Sequence, residues 1–206
     1  MTNPPTDPGS IGPANLFAPW RHSYMDMLSA SEKVAPTRSA PSDRSPPSSS
    51  FLREAWLHPE RDAANHVIVR TGTESLRAAD GSARGGLIML NKYPYSNGHL
   101  LVCLGEPRMR LLEYSEPQRA ELWSLTDLAT DLCERTLEPQ GVNVGLNQGA
   151  ASGAGVPGHI HVHIVPRWLG DVNFIAVVAN VRVIPSALED MWRRYCEIWA
   201  MIRPTA

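Results

Sequence analysis

HIHVHIVPRW, His159 to Trp168, is the stretch on which the fold and the chemistry turn. Alternate residues of an extended strand share a face. His159, His161 and His163 then fall on one side, and Ile160, Val162 and Ile164 on the other. At a rise of about 3.3 Å per residue, neighbouring histidines stand roughly 6–7 Å apart. That spacing spans an anionic oligophosphate and lets each ring orient the next. Three imidazoles on one core face would each need hydrogen-bond partners, so a structural role explains them poorly. A metal site is the competing reading, because two same-face histidines supply imidazole ligands. Three residues in a line surround a tetrahedral ion badly, however, and no cysteine ligand stands near them in the sequence.

The approach to this strand favours phosphate. GVNVGLNQGAASGAGVPG, residues 141–158, is rich in small residues and leads straight into the histidines. Glycines such as Gly153 and Gly155 let backbone N–H groups come close to phosphate oxygens. Asn147 and Gln148 add amide donors at the loop entrance.

Working outward, β-branched and aliphatic runs bounded by Gly or Pro predict strands at about 66–70, 86–92, 99–104, 142–147, 159–166 and 173–184. Ser115, with Gln118 in the capping-box position, predicts a helix that ends at Pro139. A last helix is predicted from Ser186, with Glu189 in the same relation. Local hairpins and two helices without regular βαβ alternation indicate an α+β fold. The domain reads as residues 51–206. Residues 1–50, rich in Pro, Ser and Gly, read as a largely disordered arm with a docking segment at 16–25.

Bulk properties exclude other classes. Nineteen Lys and Arg residues against 21 Asp and Glu argue against nucleic acid or an anionic membrane as the main partner. No apolar run approaches the roughly 20 residues of a membrane span, and the N-terminus lacks the pattern of a signal peptide. A cytoplasmic location is expected. The three cysteines form no CxxC pair and read as inert buried thiols.

HIHVHIVP resembles the HxHxHxx signature of the histidine triad (HIT) superfamily, and NKYPYSNGHLLV, Asn91 to Val102, resembles the strand–turn–strand that precedes it there. PGHIHVHIVPRWLGDVNF, residues 157–174, is similar to the bacterial diadenosine-tetraphosphate phosphorylase branch. The resemblance implies a five-stranded antiparallel sheet with a long helix and a C-terminal helix, paired as a homodimer or higher homo-oligomer. It implies that His161 is the nucleophile and that His159 and His163 contact phosphate or orient it. His99 would stand behind the triad strand, Asn91 would contact ribose, and Asn147 would lie near the α-phosphate.

The implied reaction is nucleotidyl transfer from a dinucleoside polyphosphate to a neutral His161, whose other ring nitrogen donates to a backbone carbonyl. The acceptor is open between water, inorganic phosphate and a sugar phosphate. Arg167 is the residue expected to hold an incoming phosphate, with Asn173 supplying an amide and Asp171 fixing Arg167 by pairing. Two alternatives stay open: a nucleotide-binding sensor or scaffold without turnover, and a metal-dependent hydrolase. The chain departs from the family pattern in lacking the Gln that often precedes the first histidine, where it has Gly153-Ala154-Gly155. AWLHPERD, residues 55–62, has no cysteine where some relatives bind zinc, so no protein-bound metal is expected. Magnesium would arrive only with the polyphosphate.

Overall fold

The pairing of apolar strands around residues 100–104 organises the molecule. In a computed structural model, residues 50–77, 81, 83–152, 154–171 and 184–203 are described. They belong to the unit Ser45–Ala206. Segment 16–25, Gly153, Asn173 and all but the last residue of the expected strand at 173–184 lie outside the described residues. Five strands form one antiparallel sheet: β1 (Val67–Arg77), β2 (Ala83–Leu90), β3 (Leu100–Leu104), β4 (Gly141–Leu146) and β5 (Val162–Arg167), in the order β1-β2-β3-β5-β4.

Every residue of β3 is buried, because both faces of the sheet are covered there. Leu100, Val102 and Leu104 join Ile88, Val162 and Ile164 against helix α2 (Glu116–Leu137) and helix α3 (Leu188–Ile202). Leu101 and Cys103 join Leu87 and Met89 against helix α1 (Phe51–Leu57), through Leu52, Ala55 and Trp56. Period-two alternation thus sends the apolar residues of β2 and β3 to two separate cores. The face shared with α1 is the one on which His163, paired opposite Leu101, projects.

Helix α2 begins with the Ser115–Gln118 capping box expected of it, and its stripe Leu122, Leu125, Ala129, Leu132 is buried. Helix α3 begins later than its sequence suggests. Ala187 occupies the N-cap and no side chain caps it. Glu189, rather than closing a box on Ser186, lies 3.7 Å from His66 Nε2. The face of α3 is fixed by tertiary bonds instead. Trp192 Nε1 donates to the Val67 carbonyl at 2.8 Å, and the Tyr195 hydroxyl donates to the Gly98 carbonyl at 2.8 Å.

The first two strands also differ from their reading. Strand β1 continues past Thr71-Gly72 to Arg77, and β2 starts at Ala83. Gly72 and Gly85 pair across the ladder with φ of +62° and +112°. A side chain on either would collide with the opposite backbone, so the glycines here continue a close-packed hairpin rather than end a strand.

The turn Tyr93–Gly98, which delivers His99, depends on Gly98. Its φ is +77°, and a Cβ there would lie 2.4 Å from Leu137 Cδ1. Left-handed backbone costs a side-chain-bearing residue roughly 1–2 kcal/mol, and overpacking adds to it. Gly98→Ala is expected to lower the unfolding free energy by about 2 kcal/mol or more in urea titrations. Gly141→Ala, where open space surrounds the added carbon, should stay within about 0.5 kcal/mol of the parent.

Candidate active site

The histidines do not continue one regular strand. Strand β5 begins at Val162, so His159 and His161 lie ahead of the ladder. Strand β3, its partner, ends at Leu104, before Gly105-Glu106-Pro107. The Ile160 amide then bonds to the Arg108 carbonyl at 2.8 Å. The chain twists here, and the three rings separate into different environments.

His159 turns inward and is fully buried. Its Nε2 lies 2.8 Å from the Leu104 carbonyl and its Nδ1 lies 2.7 Å from Ser50 Oγ. A carbonyl only accepts, so Nε2 carries the hydrogen and Nδ1 accepts from the serine. Both nitrogens are engaged inside the fold, and the ring is not part of the cavity wall. Of the two roles expected of His159, contact with phosphate or orientation of the nucleophile, this placement fits orientation. Its backbone carbonyl has the functional position: it accepts from His161 Nδ1 at 2.9 Å.

That bond fixes the proton of His161 on Nδ1. Nε2 is left as an unprotonated nitrogen on a ring that lines a cavity of about 560 Å³. His163 lines the same cavity, its ring centroid 4.9 Å from that of His161. Its Nδ1 lies 3.0 Å from His99 Nε2. His99 Nδ1 accepts from the Tyr95 backbone N–H at 3.0 Å, so the His99 hydrogen sits on Nε2 and is donated to His163. His163 therefore carries its own hydrogen on Nε2. That atom is buried and has no hydrogen-bond partner among the described residues. A bare lone pair on His161 and a bare donor on His163 thus stand side by side.

Burial keeps these rings neutral. It pushes His159 down to about 4 and lowers His161. Burial, with His161 beside it, pushes His163 down to about 4. The cysteines play no part here: burial raises Cys103 to about 12 and Cys133 to about 11, while Cys196 is only half-buried.

Asn91 and Gly155 also line the cavity. The Asn91 amide oxygen accepts from the Tyr93 N–H at 3.0 Å, and its nitrogen lies 3.3 Å from His99 Nδ1. One amide hydrogen and one lone pair remain for a ligand. Asn147 and Arg167 are not in the wall. The Arg167 guanidinium is held by both Asp171 oxygens and by Asn143 Oδ1. Lys92, which the sequence reading did not single out, also lines the cavity, and no carboxylate among the described residues lines it. Tyr95 stacks on His163 at a centroid distance of 5.6 Å. Both residues sit in the NKYPYS segment and were legible only as turn residues. His66, at φ +53°, and Phe51 complete one side.

No group of three or more His, Cys, Asp or Glu among the described residues is arranged to hold a metal ion. The inward His159 is the reason at the triad, since neither of its nitrogens is free. No helix among them is long and apolar enough to cross a membrane.

Residues 83–168 match the HIT domain family. Across 187 residues the chain is 33% identical to the AP-4-A phosphorylase of Mycobacterium tuberculosis, covering 90% of this chain and 84% of that one. The chain belongs to the HIT family. The HIT protein is also 29% identical over 84 residues to the asymmetrical bis(5'-nucleosyl)-tetraphosphatase of Schizosaccharomyces pombe, covering 41% and 46% of the two chains. Its fold is shared with a zinc-bound histidine triad family protein from Mycobacterium smegmatis, at a TM-score of 0.55 and 22% identity over 75% of this chain and 95% of that one.

The buried neutral rings make stability depend on pH. Unfolded histidine titrates near 6.5, whereas folded His159 titrates at about 4. Between these values the unfolded chain binds a proton that the folded chain does not, so stability falls as pH falls through this window. His159 alone contributes a decline on the order of 3 kcal/mol, levelling off below the folded value. Denaturant titrations from pH 7 to pH 4 check this. His159→Gln, which keeps a donor for the Leu104 carbonyl but cannot titrate, should flatten the decline.

Proposed function

We propose that this HIT protein cleaves dinucleoside polyphosphates by transferring a nucleotidyl group to His161 Nε2. The single observation that carries the reading is the locked pair in the cavity: the His161 lone pair beside the His163 N–H. The M. tuberculosis and S. pombe relatives, named for phosphorylase and tetraphosphatase activities, support the substrate class.

Nε2 attacks the α-phosphorus, the bond from phosphorus to the polyphosphate oxygen breaks, and the polyphosphate departs with the bonding pair. The imidazole becomes cationic, with its Nδ1 hydrogen still on the His159 carbonyl. Covalent catalysis divides one displacement into two easier ones. His163 Nε2–H donates to the phosphoryl oxygen on which charge gathers, and a preorganised donor in a dry site is worth far more than in water. The loop amides around Gly153 and Gly155 are assigned to the same oxygens and Asn91 to ribose; Asn147, outside the cavity wall, is assigned to the α-phosphate on the family resemblance alone. An acceptor oxygen then attacks phosphorus and returns the bonding pair to Nε2.

Phosphate serves as acceptor alongside water in this reading. Arg167, committed to Asp171 and Asn143, is less suited to receive it than Lys92 at the cavity wall. The protein binds no metal for the reaction, and magnesium enters only on the polyphosphate. A cytoplasmic homodimer completes the proposal. Unpaired thiols suit a reducing compartment, and β4, the edge strand among the described residues with Val144 exposed, is the strand assigned to pair with a second copy. Nucleic acid and membrane have no place in it.

Diadenosine tetraphosphate, incubated with and without inorganic phosphate, tests the reading. Phosphorolysis yields ADP and ATP; hydrolysis yields AMP and ATP. His161→Ala is expected to lose at least about a thousandfold in rate while keeping the fold, and the parent should show an acid-labile AMP adduct by mass spectrometry. A folded His161→Ala protein with parental turnover refutes the mechanism. Lys92→Ala should raise KM for the dinucleotide or phosphate several-fold and weaken the salt dependence of kcat/KM, since an exposed cation attracts anions over about a Debye length.

A further inference from the structure

Ser50 precedes α1 and lies outside the segment that matches the HIT domain, yet it reaches the triad. Its hydroxyl oxygen accepts from the Arg53 backbone N–H at 3.1 Å, capping α1, and lies 2.7 Å from His159 Nδ1. The His159 hydrogen is on Nε2, so the serine hydrogen is the one donated. Ser50 is buried, 8% exposed, and its two bonds tie a helix start to a ring 109 residues away. Arg53 strengthens the tie by donating to the Gly105 carbonyl at 2.8 Å, next to the Leu104 carbonyl that holds the other side of the ring. Trp56 closes the same corner by packing on Gly105.

The consequence reaches His161 through the backbone. The His159 ring is gripped from both sides, and the carbonyl of the same residue accepts His161 Nδ1–H. Release of the ring on the Ser50 side would leave a buried acceptor unpaired and let the peptide at His159 rotate. We propose that Ser50 is a positioning residue: its hydroxyl holds His159 so that the carbonyl there keeps His161 as a single Nδ1–H tautomer aimed at the cavity. The function assigned to this device rests on the reading of His161 as nucleophile.

The test compares Ser50→Ala, Ser50→Thr and Ala55→Gly with the full parent chain. Ala55→Gly weakens α1 through its helix propensity and leaves the hydroxyl in place. Two measurements are made on each: the ring nitrogen NMR shifts of His161 in the free protein, and kcat and KM with diadenosine tetraphosphate below the melting temperature. Ser50→Ala should mix the tautomers of His161 and lower kcat by about tenfold to a hundredfold, as small misplacements of reacting groups do, with KM unchanged. Threonine, which retains the hydroxyl, should restore both. Ala55→Gly should melt earlier but keep the parental ring signals and kcat. The proposal is overturned if Ser50→Ala keeps parental ring signals, or if Ala55→Gly loses as much kcat as Ser50→Ala. Should the parent cleave no dinucleotide, the assigned reaction fails, while the ring spectra of the free proteins still decide the role of Ser50.

Discussion

A neutral imidazole gripped at both nitrogens is the constraint on which the site depends. His159 fills the corner where β3 ends, and its two hydrogen bonds satisfy it without charge in a place that disfavours charge. Were it protonated, its buried charge would stand near the Arg53 guanidinium and would repel a cationic His161. Because the ring is buried and satisfied, the backbone at His159 is held, and the carbonyl that orients His161 stands in one place. Packing, protonation and the direction of the reactive lone pair are thus set by the same contact.

The two faces of the sheet divide the labour. Helices α2 and α3 cover one face and form the larger core. On the other, α1 packs over β1, β2 and β3, and the cavity lies beside it. Helix α3 serves the site from the far side: through Tyr195 it holds the Gly98 carbonyl, one residue before His99.

Much of this was legible in the residues, and the remainder failed for identifiable reasons. The apolar β3 run, the Ser115 capping box and the α2 stripe are local patterns, and they appear where the sequence puts them, whereas β5 starts at Val162 rather than at His159. His161, His163, Asn91 and Gly155 reach one cavity as the triad spacing and the family resemblance imply. The inward turn of His159 was not legible, because its partners are Leu104 and Ser50, distant in sequence. Ser50 itself closes a run of serines and prolines that reads as an unstructured arm, and only the apolar FLREAWL after it hints at a cap. The pairing of Arg167 with Asp171 is as the sequence suggests, but its bond to Asn143 on the neighbouring strand and its place outside the cavity wall are tertiary facts that no local pattern carries. At Ser186 a local capping signal gave way to the tertiary bonds of Trp192 and Tyr195.

The row from Tyr95 through His99 to His163 has a direction that cannot reverse. It starts at a peptide N–H, which never accepts, so every hydrogen along it points toward the cavity. The far end presents a permanent electropositive tip made from aligned dipoles, with no ion buried to make it. Such a tip is not diluted by mobile counterions in the way an exposed ammonium is. Under the proposed reaction the protein would have two grips on an anion that answer differently to ionic strength: an outer one that fades as salt rises and an inner one that persists.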